Sequence, residues 1–283
     1  QAYLDKRRIR RGIAVRFGMG AAPDSWDALL TAMTHKGYTK QELISAGLAV
    51  NGKNGRLYDK FRNRLMLPVI DVRGDVVGFG SRVLDKSEPK YMNTPETLTY
   101  SKRRILYGMN LAKKSKRSNI ILCEGNLDVV TLHQAGFDNA VASMGTALTQ
   151  EQLRLLSRYT KELVLCYDND NAGQQATRRA LELLNNSEFS VKVLQLPRRL
   201  VDGEYIKQDA DDFIKFQGPA AFERLLTGSE NGVEFRLDQI AGKYDLTDDT
   251  QRIAYAQEVS EELAKLENAV EREVYCCRLI IAI

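Results

Sequence analysis

Residues 163–173 read LVLCYDNDNAG. An apolar run stops at a carboxylate, Asp168, a second follows at Asp170, and Gly173 stands where a helix should open. Such a run, ended by a polar group, is the pattern of a buried parallel strand. The same punctuation recurs at 119–125 (NIILCEG), where Glu124 ends the run. It recurs again beyond 190–196, where QDADDF supplies Asp209, Asp211 and Asp212. In an open α/β sheet the carboxyl ends of the strands line one crevice, and ligands bind there. Acidic groups converging in a crevice repel one another unless positive charge lies between them. With no His or Cys beside them, the fitting counter-charge is a hard, oxygen-seeking cation such as Mg²⁺. The pattern predicts metal-dependent phosphate chemistry.

Working outward, residues 119–222 alternate strand and helix. Strands are expected at 119–123, 139–143, 163–167 and 190–196, and helices at 126–135, 149–159 and 171–185. Gly136 is a helix stop and Thr149 an N-cap. This alternation predicts an α/β fold with a mostly parallel, Rossmann-like sheet and right-handed crossovers. Residues 1–118 are less regular. Helical pieces near 3–14, 24–35 and 39–46 precede strands at 65–72 and 75–83 that meet at the turn Arg73-Gly74, giving a mixed α/β module. From 229 to 283 the periodicity is helical, with breaks near Gly242 and Thr247, and a small bundle is expected. The chain thus divides into 1–118, 119–228 and 229–283.

A length of 283 residues suits about two domains, and 43% hydrophobic with 28% charged residues is ordinary for a globular chain. No apolar run approaches the ~18 residues of a membrane span, and no signal-peptide core opens the chain. A cytoplasmic protein without a membrane partner is expected. None of the four cysteines forms a CxxC pair, so buried free thiols and no zinc site are predicted. A Gln start and an apolar end (LIIAI) suggest a piece of a longer protein. The net charge of +4 conceals an asymmetry: residues 1–118 carry +14 and residues 119–283 carry −10. A single charge run is usually solvated surface, but an imbalance this large points to a polyanion partner on one side and metal ions on the other.

The ordered set Glu-Gly, then Asp-x-Asp-x-Ala-Gly, then Asp-x-Asp-Asp resembles the Toprim domain of topoisomerases, primases and certain nucleases. The resemblance implies that Glu124 acts as metal ligand or general base and that Asp168 and Asp170 bind Mg²⁺. Asp209 and Asp211 would complete the divalent-metal sites. Helix capping is a plausible alternative for Asp170 and Asn171, but it does not explain the whole set. The segments RFGMGAAPDSWDAL, FRNRLMLPVIDVRGDVVGFGSRVL, KYMNTPET, YSKRRILYG and EGNLDVVTLHQAGFDNAVASMGTALT follow one another as in bacterial DNA primases of the DnaG type. The likeness runs over essentially the whole chain and implies their RNA polymerase core, between a zinc-ribbon domain and a helicase-binding domain that both lie outside this chain. It further implies synthesis of RNA primers from ribonucleoside triphosphates on single-stranded DNA, with two or more Mg²⁺ or Mn²⁺ ions.

Carried over by position, Arg64, Arg82, Lys90 and Lys102 lie in matching motifs and Arg7 in a weaker one (YLDKRR). All would face template or nucleotide, because phosphates require Lys or Arg. Asn93 is expected to hydrogen-bond nucleotide or template, or else to serve as the turn residue before Thr94-Pro95. The chain departs from the family pattern at Asn126-Leu127 (Tyr-Met), Asn169 (Gly), Ala210 (Pro), Asp212 (Glu) and Ser81 (Gly). His35 and His133 lack metal-spaced partners. Trp26 and the aromatics of 58–61 are expected in the core. Two rivals stand beside the primase reading, a Toprim nuclease and a non-catalytic nucleic-acid-binding module.

Overall fold

The computed structural model describes residues 2–185, 187–201, 204–266 and 268–282. The basic segment supplies β1 (Gly20–Ala22), β2 (Ala49–Asn51), β3 (Leu57–Asp59), β4 (Arg64–Ile70), β5 (Val76–Val83) and β6 (Tyr91–Asn93), followed by the short β7 (Leu106–Tyr107). The acidic segment supplies β8 (Asn119–Cys123), β9 (Ala140–Ser143), β10 (Glu162–Cys166) and β11 (Ser190–Val193). A hairpin of β12 (Arg199–Val201) and β13 (Glu204–Ile206) follows, then β14 (Glu230–Asn231).

The alternating segment forms the expected mostly parallel sheet, widened by two unexpected edge strands into a six-stranded one of order β14-β11-β10-β8-β9-β7. Its four central strands are parallel and its two edge strands antiparallel. The chain leaves β8 for β9 on one side and β10 for β11 on the other, so the strand order reverses between β8 and β10. Glu124 and Asp168 follow the ends of those two strands, at the topological switch point where α/β sheets bind ligands. Strand periodicity sorts the core. Ile121, Cys123, Val164 and Cys166 face one apolar cluster, whereas Ile120, Leu122, Leu163 and Leu165 face the other. All eight are buried, because helices cover both faces.

The first of those clusters also contains Phe17, Leu65, Leu67, Val69 and Tyr107. The N-terminal sheet, of order β1-β4-β5-β6, therefore shares a core with the Toprim-like sheet, which fixes the basic residues relative to the acids. The basic segment also donates β7 directly to the larger sheet, where Leu106 and Tyr107 pair with Ser143 and Ala142. At the other end, β14 pairs with β11. The helices Gly232–Ala241, Asp249–Ala264 and Ala269–Ala282 then close the bundle around Val259 and Leu263.

Three local expectations are corrected. The helix near 3–14 is two, Ala2–Lys6 and Arg11–Arg16, because Arg8 turns the chain through φ 56°. Trp26 is not core: it is 60% exposed, although Phe61 is buried. Cys123 and Cys166 are buried free thiols, but Cys277 is exposed. Among the described residues no helix is long and apolar enough to cross a membrane.

Candidate active site

Glu124 follows β8 directly, and its Oε1 accepts the backbone N–H of Asp168 at 3.1 Å. That bond ties the two strand ends together. Gly173 makes the approach possible: a Cβ there would lie 2.0 Å from the Asp168 carbonyl oxygen and 2.8 Å from Glu124 Oε1. Asp170 caps the helix Asn171–Leu184, its Oδ1 accepting from Gly173 N at 2.9 Å. Its Oδ2 faces Lys207 Nζ at 2.5 Å. Asp209 likewise caps Ala210–Gln217 through Asp212 N at 2.7 Å. Asp209, Asp211 and Asp212 each present a carboxylate oxygen within 4.8 Å of one another. Both capping acids stand at the positive end of a helix, where a carboxylate is favoured.

The electrostatics record the crowding. Burial, then Glu124, Asp209 and Asp170, push the Asp168 carboxyl up to about 7. Burial raises Glu124, helped by Asp170, and raises Asp209, with Asp212 and Asp211 adding repulsion. Asp170 alone among the strand-end acids is held below its usual value, by Lys207 first and the Gly173 amide second. Carboxylates this reluctant to ionise together form a site that a divalent cation would stabilise. Their all-oxygen donor set suits a hard ion.

Two acids play parts that the sequence did not disclose. Asp211 is engaged on both oxygens: Oδ2 meets Arg7 Nη1 at 2.6 Å and Lys215 Nζ, and Oδ1 accepts from Thr131 Oγ1 at 2.5 Å. Asp128 was missed. It is buried, its Oδ2 accepts from Gly125 N at 3.0 Å, and its Oδ1 accepts from Asp211 N at 3.2 Å. Burial, with Asp209, Asp168 and Asp211 around it, raises its carboxyl strongly. Asp128 thus joins the Glu-Gly turn to the Asp209–Asp212 turn. An acid inside the otherwise apolar stretch LDVVTL was the available signal.

The basic residues divide. Arg7 lies 5.8 Å from the Tyr3 ring, Arg82 lies 5.7 Å from Tyr3 and 5.0 Å from Tyr91, and Lys90 lies 5.7 Å from Tyr91. These cations and rings form a row that begins at Asp211. Arg64 is not a surface cation: it is buried, and Nη2 donates to the Pro89 carbonyl at 2.8 Å. Lys102 lies near enough to Lys60 to lower its pKa, second to burial. Asn93 Nδ2 donates to the Met144 carbonyl at 3.2 Å, joining β6 to the loop after β9. The exposed Trp26 stands edge-on to Tyr58, with the Arg62 guanidinium 4.2 Å from its ring. Asp59 holds this platform by donating its N–H to the Trp26 carbonyl at 2.7 Å and capping Leu29 and Leu30 with its carboxylate.

Comparisons with known proteins bear on the family and the fold. Residues 1–113 match the family description of the DNA primase catalytic core, N-terminal domain, and residues 121–214 a Toprim-like domain. A solved DnaG primase catalytic domain bound to single-stranded DNA superimposes with a TM-score of 0.82 at 34% identity, covering 98% of this chain and 89% of that one. The chain belongs to the DnaG primase family. The E. coli primase catalytic core aligns with a TM-score of 0.81 at 34% identity, over 98% of this chain and 88% of that one. The DNA primase of Clostridium acetobutylicum is 43% identical over 274 residues, 96% of this chain and 44% of the relative. The chain therefore spans under half the length of that DNA primase. Residues 233–276 match the DnaB-helicase binding domain of primase. This corrects the expectation that every helicase-binding segment lies outside the chain. Helical periodicity reports a bundle, not its partner.

Proposed function

We propose that this chain is the catalytic core of a primase, joining ribonucleotides into short RNA primers on a single-stranded DNA template. The observation that carries the reading is the row Arg7, Tyr3, Arg82, Tyr91, Lys90, which runs to the acidic crevice and meets it at Asp211. A nucleotidyl-transfer site needs acids for metal ions beside cations for phosphates, and positioning supplies most of the rest.

In this reading Glu124, Asp168, Asp170 and Asp209 hold Mg²⁺ or Mn²⁺, two or more ions in all. Bound there, such ions would lower the pKa of the primer 3′-hydroxyl and neutralise charge on the departing pyrophosphate. Asp211 anchors Arg7, and Asp128 holds the two acidic turns in register. Arg7, Arg82 and Lys90 take phosphates of nucleotide or template, and Lys102 with Lys60 extends the basic surface. Arg64 supports the loop around Pro89 from beneath, and Asn93 positions the loop at Met144. Trp26, Tyr58 and Arg62 offer stacking faces to unpaired bases. In this reading the bundle at 233–276 meets the replicative helicase, and the enzyme works in the cytoplasm at the replication fork.

The test is synthesis on single-stranded DNA with ribonucleotides and Mg²⁺ or Mn²⁺, beside Asp170→Asn. Metal-dependent oligoribonucleotides from the wild type alone are expected. Degraded template would point to a nuclease, and equal product from both proteins would overturn the assignment of Asp170.

A further inference from the structure

Asp170 has two oxygens and two obligations. Oδ1 caps Gly173 N at 2.9 Å, and losing that bond would fray the helix Asn171–Leu184 at its first turn. Oδ2 meets Lys207 Nζ at 2.5 Å. With Oδ1 held by the cap, Oδ2, the oxygen on which the ammonium lies, is the one more open to a cation that leaves the cap intact. We propose that Lys207 is an exchangeable counter-ion of the crevice. It competes with the divalent cation for Asp170 and, once displaced, ligates the polyphosphate of the incoming nucleotide. This inference rests on the reading of the crevice as a divalent-cation site.

The two lysine–aspartate pairs here are built differently, and the difference argues for exchange. Lys215 on Asp211 is permanent: both side chains are nearly buried, at 13% and 2% exposure, and Arg7 and Thr131 share the carboxylate. The Lys207 side chain is 61% exposed and that of Asp170 31%, and an exposed pair of this kind is weakly held. The backbone beneath Lys207 is nevertheless fixed. The neighbouring Gln208 is buried, and its Nε2 donates to the Pro197 carbonyl at 2.7 Å. Asp209 begins the helix Ala210–Gln217. Lys207 reaches Asp170, and Lys207 and Asp209 both act on the Asp168 carboxyl, so both face the crevice.

The ammonium also acts on Asp168 and Glu124, favouring their ionised forms. Lys207 therefore answers the same charge that a metal ion would. A divalent cation carries twice that charge and can take several carboxylates at once, so it displaces the lysine. A lysine on a flexible stem then retains a point charge at the mouth of the crevice, suited to phosphate oxygens.

The test is Mn²⁺ titration followed by electron paramagnetic resonance, on wild type, Lys207→Met and Lys207→Arg, with no nucleotide present. Lys207→Met should bind Mn²⁺ roughly three- to tenfold more tightly than wild type, and Lys207→Arg close to wild type. With Mg²⁺ saturating, calorimetry should show inorganic tripolyphosphate binding Lys207→Met several-fold more weakly. Equal or weaker Mn²⁺ binding by Lys207→Met overturns the competition. Tighter Mn²⁺ with unchanged tripolyphosphate overturns the phosphate role. Loss of Mn²⁺ binding in all three proteins overturns the cation site itself, and this inference with it.

Discussion

Arg7 Nη1 donates to Asp211 Oδ2 at 2.6 Å across 204 residues of chain. The Asp211 side chain is 2% exposed, that of Arg7 25%. Breaking a buried pair leaves an uncompensated charge, which costs far more than the pair contributed. Lys215 and Thr131 remain on Asp211 in Arg7→Ala, so the loss should be about 1–3 kcal/mol in urea unfolding. A double-mutant cycle with Asp211→Asn should give a coupling of about 1 kcal/mol or more. Additive losses would show that the two residues act independently.

Gly173 predicts a separable defect. A Cβ at 2.0 Å from the Asp168 carbonyl cannot be accommodated without moving backbone. Gly173→Ala should cost about 1–3 kcal/mol of stability and spread Glu124 from Asp168. Mn²⁺ affinity and primer synthesis should then fall by roughly a hundredfold or more, while circular dichroism remains native. Wild-type Mn²⁺ affinity would refute the close-approach argument.

The raised carboxyl of Asp168 gives a pH signature in chelator. Its folded value of about 7 lies above the unfolded one, so between about pH 4 and 7 the native state holds a proton that the unfolded state has lost. Stability from this group therefore falls as pH rises through that window. His133, held down to about 4 by burial, pulls the other way as the pH falls, so the difference between wild type and Asp168→Asn isolates Asp168. At pH 8 Asp168→Asn should be more stable by about 1 kcal/mol after allowance for solvent screening, or about 2–4 °C in Tm. The gap should narrow steadily as the pH falls toward about 4. Primer synthesis by Asp168→Asn should be abolished at every pH.

Trp26 tests the template surface without touching the acids. Because it is exposed, Trp26→Ala should leave Tm within about 2 °C of wild type. Binding of a single-stranded oligonucleotide should weaken by about 1–3 kcal/mol. Arg62→Ala should weaken it too and flatten the salt dependence, by about 0.7 in the logarithmic slope for each phosphate that the variant no longer neutralises. Unchanged affinity in both variants would place the strand elsewhere.

The parallel sheet was readable because short strand segments alternate with helical ones and two of the strands, β8 and β10, are apolar runs ended by carboxylates. Glu124, Asp168, Asp170 and Asp209 were readable for the same reason, since each follows a strand or opens a helix. Asp128 was not, because an acid inside a helix looks like solvent surface until its burial is known. Trp26 was read as core because size and apolarity favour burial, yet Arg62 and Tyr58 hold it at the surface. Arg64 erred in the opposite direction: its charge suggested a phosphate, and its side chain is buried against the Pro89 carbonyl.

What the sequence determined by itself is whatever short-range chemistry dictates: strand and helix alternation, the turns that carry the acids, and the charge contrast between the two halves. Tertiary structure decided which charges find each other. The pairing of Asp211 with Arg7, of Asp170 with Lys207 and of Asp128 with the Asp211 amide depends on distances that no spacing encodes. Those distances settle whether a carboxylate keeps an oxygen open to a cation or is already satisfied. The physical reason is that electrostatic and hydrogen-bond energies depend on separation and burial in space, and both are set only when the sheets pack.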